Sequence, residues 1–206
     1  EVLHLSFRIG PSLNSTGRLE SAKEGVELLL TDDPARAESL AQDMAKLNEL
    51  RKEMTDRGVR MATDWVRKDI RMILTEDGVK EKKIGDDKVI VLYMPGIHES
   101  IAGLIASKLK EAFYRPTLVF ADAENGQGLK GSGRSIETYN MFDKLCEHKE
   151  LFVKVGGHPM AAGFTITREA LEPLREALNR DCNLTDADHV EKLYVDAVSY
   201  THLTLP

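Results

Sequence analysis

The sequence predicts an α/β fold in which a long connector helix leads into a domain with a central mixed β-sheet flanked by helices. Three observations predict it. From residue 34 onward a charged segment carries Leu40, Met44, Leu47, Met54, Met61 and Trp65 at spacings of three, four or seven, the pattern of an amphipathic helix with one buried face. Further on, V-I-V-L-Y at 89–93 and T-L-V-F-A at 117–121 are short apolar runs typical of buried strands. Between them Ile101, Leu104, Ile105 and Leu109 recur at helical spacing.

Composition sets the bounds. With 206 residues, 42% hydrophobic and 30% charged, the chain has the make-up of a globular protein long enough for a sizeable core. No apolar run approaches the roughly 18 residues that would suggest a membrane span, and no signal-peptide pattern opens the chain. Cys146 and Cys182 lack metal-ligand spacing and read as reduced thiols of a cytoplasmic protein. The net charge of −6 argues against a generally basic nucleic-acid binder. Residues 98–163, however, hold eight Lys/Arg against eight Asp/Glu, so this stretch is neutral within an acidic chain. A phosphate site here rests on a few placed groups and not on a basic field.

In chain order, F-R-I-G-P-S-L-N-S-T-G-R-L-E-S-A at 7–22 reads as an apolar start cut by Gly10-Pro11, then a polar loop over 14–17. A helix follows with Ala22, Val26, Leu29 and Leu30. Asn14 and Arg18 are either ordinary loop residues or an amide and a guanidinium suited to phosphate oxygens. Thr31-Asp32-Asp33-Pro34 is a helix start. An unbroken helix over 34–68 would be about 50 Å long, a connector rather than part of a compact core, and Gly58 marks a weak point or break in it. The polar segment 76–87 holds the main boundary. His98 sits at a strand-to-helix junction, where open α/β sheets place ligands; it is a cap or a ligand contact.

A polar hairpin at 122–127 leads into G-L-K-G-S-G-R-S-I at 128–136. Alternating glycine makes a poor ordinary strand, but suits a backbone lying close to a ligand, with Ser132, Gly133, Arg134 and Ser135 as contacts. The plain alternative is a flexible hairpin. After a short helix at 140–148 and a strand at 151–155 comes V-G-G-H-P-M-A-A-G-F-T-I at 155–166. Gly156, Gly157 and His158 read as a turn whose free N–H groups and imidazole can hold an anion, or as a tight strand connection. Thr167 is a plausible cap for a helix with Leu171, Leu174 and Leu178 on one face, although Pro173 places its regular part later. A further strand begins near 192–197. The end, V-S-Y-T-H-L-T-L-P at 198–206, matches nothing before it and reads as a non-native tail.

Four motifs, I-G-P-S-L-N-S-T-G-R-L, G-I-H-E-S-I-A-G-L-I-A-S-K-L, G-S-G-R-S-I and G-G-H-P-M-A-A-G, occur in the order seen in RecJ-type members of the DHH phosphoesterase family. The chain resembles that family over residues 5–197. The resemblance implies residues 1–33 as the end of a catalytic DHH lobe and 34–75 as the connector helix. Residues 88–182 would be a DHHA1 substrate-binding domain, and 190–197 the start of an OB-like domain. It further implies a single-strand-specific DNA exonuclease of DNA repair and recombination, working from a 5′ end with Mn²⁺ or Mg²⁺.

The family's metal ligands include an Asp-His-His motif that this sequence lacks. The chain opens at Glu1 without Met and reads as a piece of a longer protein whose missing lobe binds the metal, so by itself it is expected not to cleave DNA. Carried over by motif, Ser132 and Arg134 would hold the terminal phosphate, and Asn14 and Arg18 would approach from the other side. His158, the residue given a catalytic role, would hold the scissile or adjacent phosphate with the Gly156-Gly157 backbone. Ser12 stands where the family often has Arg, so no contact is carried over there. Expected partners are single-stranded DNA and, as proteins, a single-strand-binding protein or a helicase. The alternatives are a DHH-family phosphodiesterase for short oligonucleotides or cyclic dinucleotides, and a non-catalytic nucleic-acid-binding scaffold.

Overall fold

The computed structural model describes residues 9–19, 22–75 and 77–190; the strand expected at 192–197 and the tail at 198–206 lie outside them. The segment expected as a polar loop over 14–17 is instead helical: α1 spans Gly10–Leu19. Gly10-Pro11 opens this helix rather than interrupting the chain, since proline's fixed φ and missing N–H suit a first turn. Packing against the connector outweighs the weak helix propensity of Asn14, Ser15, Thr16 and Gly17. The helix α2 (Ala22–Leu30) follows, with Val26, Leu29 and Leu30 exposed.

The connector α3 runs Pro34–Arg67. Asp33 caps it, its carboxylate accepting from the Ala35 N–H at 2.9 Å, and proline occupies the first turn. Gly58 does not break it. The glycine is buried, and an added Cβ would lie 2.5 Å from Ile105 Cδ1, so its role is close approach of two helices. Leu40 and Met44 are buried on the expected stripe.

The helix stops short of the expected residue 75. Asp69 takes a left-handed φ of 58°, and β1 (Ile70–Thr75) and β2 (Gly78–Lys83) then form an antiparallel hairpin. β2 reads G-V-K-E-K-K, exposed throughout, so nothing in its apolar pattern announces a strand. It is an edge strand, where lysines discourage further pairing. The hairpin is tied down by Arg71, 1% exposed, whose guanidinium binds Glu172 through two hydrogen bonds of 2.5 and 2.9 Å.

The sheet has seven strands in the order β2-β1-β3-β4-β5-β7-β6. β3 (Ile90–Tyr93) and β4 (Thr117–Asp122) are parallel, joined through a 3₁₀ turn (Glu99–Ile101) and α4 (Ala102–Phe113). The rest are antiparallel: β5 (Leu129–Arg134), β6 (Lys154–His158) and β7 (Ala161–Ile166). α5 (Met141–Cys146) and α6 (Leu171–Arg180) cover one face, where Phe120, Phe164, Met141 and Leu174 meet. Ile90, Leu92 and Val119 pack on the other against α4 and the second half of α3. α6 starts at Leu171, so Pro173 falls in its first turn, and Ala170 rather than Thr167 is its cap.

Two glycine-rich segments differ from expectation. Residues 129–134 are an ordinary interior strand, paired on both sides. Residues 156–158 belong to the edge strand β6, so the turn is Pro159-Met160. Gly131 and Gly133 face the core. A Cβ on Gly131 would overlap the Phe164 ring and lie 2.8 Å from Phe120 Cδ1, and one on Gly133 would overlap the Met141 sulfur. Neither position can hold a side chain without the core giving way, so Gly131→Ala is expected to destabilise the chain by about 1–3 kcal/mol, read as a lower midpoint in urea unfolding.

Candidate functional site

Strand register decides which predicted residues meet. On β5 the face opposite Gly131 and Gly133 carries Lys130, Ser132 and Arg134. Pairing sets Arg134 beside Ala161 and Ala161 beside His158; Ser132 beside Gly163 and Gly163 beside Gly156; Lys130 beside Thr165 and Thr165 beside Lys154. Arg134 and His158 are thus two strands apart in one row, about 10 Å at ordinary strand spacing. In the middle row Gly156 and Gly163 have nothing within 4 Å of an added Cβ. This face of β5, β7 and β6 is a shallow trough of about 360 Å³, walled by Glu99, Lys130, Ser132 and Lys154 and floored by those glycines.

The first turn of α4 closes one side. An added Cβ on Gly103 would lie 3.0 Å from Arg134 Nη2 and 3.4 Å from Ser132 Oγ, so glycine lets the guanidinium rest against the helix. The helix start also directs the positive end of its dipole here. Arg134 Nη1 donates to the Gly133 carbonyl at 2.8 Å. Opposite, β6 is the edge strand and turns part of its backbone N–H and C=O groups outward.

His158 is exposed. Its Nδ1 accepts from the Met160 N–H at 3.4 Å, which leaves Nε2 as the donor nitrogen of the neutral ring. The hairpin holding it is pinned to the segment after Arg134: Ser135 N–H donates to the Met160 carbonyl and Met141 N–H to the Pro159 carbonyl, both at 2.9 Å.

The predicted residues therefore divide. Ser132, Arg134, Gly156 and His158 come together. Ser135 does not join them: it is 1% exposed and its hydroxyl donates to the Tyr139 carbonyl at 2.6 Å, because strand alternation turns it inward. Gly133 and Gly157 likewise face the packed side; a Cβ on Gly157 would lie 2.6 Å from Ala162 Cα. His98 is a cap: Nδ1 accepts from the Ser100 N–H at 3.2 Å while Nε2 lies 2.7 Å from Glu124 Oε1. Its cavity faces α3, with Met54, Arg57 and Met61. Asn14 is exposed on α1, which touches the Glu99–Ile101 turn. Arg18 belongs to the same helix, and its side chain lies outside the described residues.

The structure adds Gly103, Gly163, Lys130, Lys154 and Glu99. Both glycines stand within motifs singled out above, and the lysines follow by counting two residues from Ser132 and Gly156 once these are strands. No group of three metal-binding side chains comes together among the described residues.

Glu99 is the acid of the trough. It is ion-paired with Lys130 and accepts from the Glu124 N–H at 3.0 Å. Burial, the largest influence, pushes its carboxyl up. The hydrogen bonds from Lys130 and the Glu124 amide, with the Lys130 charge, outweigh it and hold the group below the ordinary glutamate range. Because the shift is downward, the pair's contribution is complete above the unfolded-state value and is lost as pH falls through the lowered one. Carboxyl NMR should show Glu99 titrating at lower pH than an exposed glutamate, and Lys130→Ala should raise its midpoint.

Residues 86–183 match the model of the DHHA1 domain. The chain is 35% identical over 196 residues to the single-stranded-DNA-specific exonuclease RecJ of Bacillus subtilis, covering 94% of this chain and 23% of that protein. It is 36% identical over 169 residues to RecJ of Escherichia coli, covering 80% of this chain and 27% of that one. The crystal structure of Thermus thermophilus RecJ in complex with Mg²⁺ superposes with a TM-score of 0.72 at 27% identity, covering 87% of this chain and 26% of that chain. A crystal structure of RecJ bound to manganese gives 0.69 at the same identity, over 87% and 41%. The chain thus spans about a quarter of the length of these curated relatives. Downstream of its connector helix, then, the chain matches the DHHA1 domain over residues 86–183, and over most of its length it is similar to RecJ exonucleases.

Proposed function

We propose that the trough binds the sugar-phosphate backbone of single-stranded DNA at its 5′ end. On this reading the chain is the substrate-binding part of a single-strand-specific 5′-to-3′ exonuclease acting in DNA repair and recombination in the cytoplasm. The observation that carries this is the cross-strand row linking Arg134 to His158 beside a floor without side chains. Arg134 offers a fixed charge and a fork of donors matched to phosphate, and Ser132 adds a hydroxyl on the same face. The bare backbone at Gly156 and Gly163 lets the strand lie close to the sheet. His158 Nε2 is placed to donate to the next phosphate.

These residues supply positioning and stabilisation of charge on phosphate oxygens. The described residues do not fit a divalent-ion centre; Mn²⁺ or Mg²⁺ would supply water activation from ligands elsewhere in the longer protein. On this reading the part played by this chain is to bind and position the strand.

Anisotropy with a 5′-phosphorylated single strand tests this. Arg134→Ala should weaken binding roughly ten- to a hundredfold, the worth of a charged hydrogen bond, without lowering the melting temperature. Log affinity should fall linearly with log salt. Equal affinity for duplex, or no effect of the substitution, would overturn the reading. Gly163→Leu separates site from fold: with open space around the Cβ position, it should leave stability intact and abolish binding.

A further inference from the structure

The trough does not end at Ser132 and Gly156. Its third row sets Lys130 and Lys154 on either side of Thr165. Beyond lies a second cavity of about 480 Å³, which shares Lys154 and Thr165 with the trough and is lined further on by Asn125, Gln127 and Thr167. The two lysines differ. Lys130 is held by Glu99, whereas Lys154 has no ion-pair partner among the described residues. An acidic chain that leaves Lys154 without an ion-pair partner among its described residues, on the open face of its site and on the same strand as His158, has a place for a second anion. Four residues of strand separate the Arg134 and Lys130 rows, about 13 Å, a span that an extended dinucleotide crosses.

Resting on the reading above, we propose that Lys154, with Thr165, holds a phosphodiester further along the same strand, and that the cavity beneath the β4–β5 hairpin receives the nucleotide attached to it. Asn125 and Gln127 at the hairpin tip offer amides that donate or accept, which suits a base without selecting one. Asn125 Oδ1 already accepts from the Gln127 N–H at 3.0 Å, so the tip is preformed. Glu99 restrains Lys130, leaving Lys154 the leading cation. The subsite makes affinity depend on strand length: a mononucleotide fills only the Arg134 end, and a longer strand fills both.

The test uses the 206-residue chain and two probes, thymidine 5′-monophosphate and a 5′-phosphorylated thymidine hexanucleotide. Lys154→Ala should weaken hexanucleotide binding by roughly fivefold and reduce its salt slope by about one, leaving the mononucleotide within about twofold. Lys154→Glu should enlarge the difference. Equal losses for both probes, or none for either, would overturn the second subsite. Arg134→Ala is the control for the underlying reading, because it should weaken both probes. If it weakens neither, that reading fails whatever Lys154 does.

Discussion

Packing of the Phe164 ring against the backbone of β5 is the constraint on which the domain depends. The ring occupies the space a side chain at Gly131 would fill and stacks at a tilt on Phe120, with centroids 5.0 Å apart. A strand that gives up its inward side chains to admit an aromatic ring carries its polar side chains on the outward face. Ser132 and Arg134 are the outward ones. The same glycines that read as a ligand loop therefore serve the core, and the residues that alternate with them face outward. Placing the arginine on an interior strand also fixes it more firmly than a flexible hairpin would.

The second element of preorganisation is the Pro159-Met160 turn. Both turn carbonyls accept N–H groups from the segment that follows β5, so the hairpin carrying His158 is registered against the strand carrying Arg134. Arg134 and His158, distant in sequence, are thus held in one row across three strands. Charge is arranged with equal economy. The chain is acidic overall, with a net charge of −6, yet the trough gathers Lys130 and Lys154 against Glu99, with Arg134 on the same face of β5 beside a helix start. Local placement, and not net charge, sets the charge of this face.

The connector and the β1–β2 hairpin bear on how the domain is held. α3 packs towards the sheet through its second half, where Gly58 and Ala62 allow close approach to α4. The hairpin is joined to α6 by the Arg71–Glu172 pair, one member of which is almost fully buried. Such a pair is costly to break because the remaining charge has no route to water. The pair therefore fixes where the edge of the sheet lies relative to α6.

Much of this was legible in the residues themselves. The Leu and Met spacing of α3, the apolar runs of β3 and β4 and the helical pattern of α4 depend on local periodicity, and periodicity survives in a bare sequence. The motifs carrying Ser132, Arg134, Gly156 and His158 were legible as well, because arginine, histidine and clustered glycine stand out in a sequence; that they share one face was not. What escaped depends on pairing. β2 is a strand only because β1 runs beside it, and α1 is a helix only because α3 supports it. Ser135, Gly133 and Gly157 share motifs with the site residues yet face inward, whereas Lys130 and Lys154 join the same face only once their segments are strands. The sequence determined the kinds of chemistry on offer. Only the tertiary structure decided which side of each strand meets solvent, because a period of two assigns faces relative to one another and leaves register across strands to say which face is open.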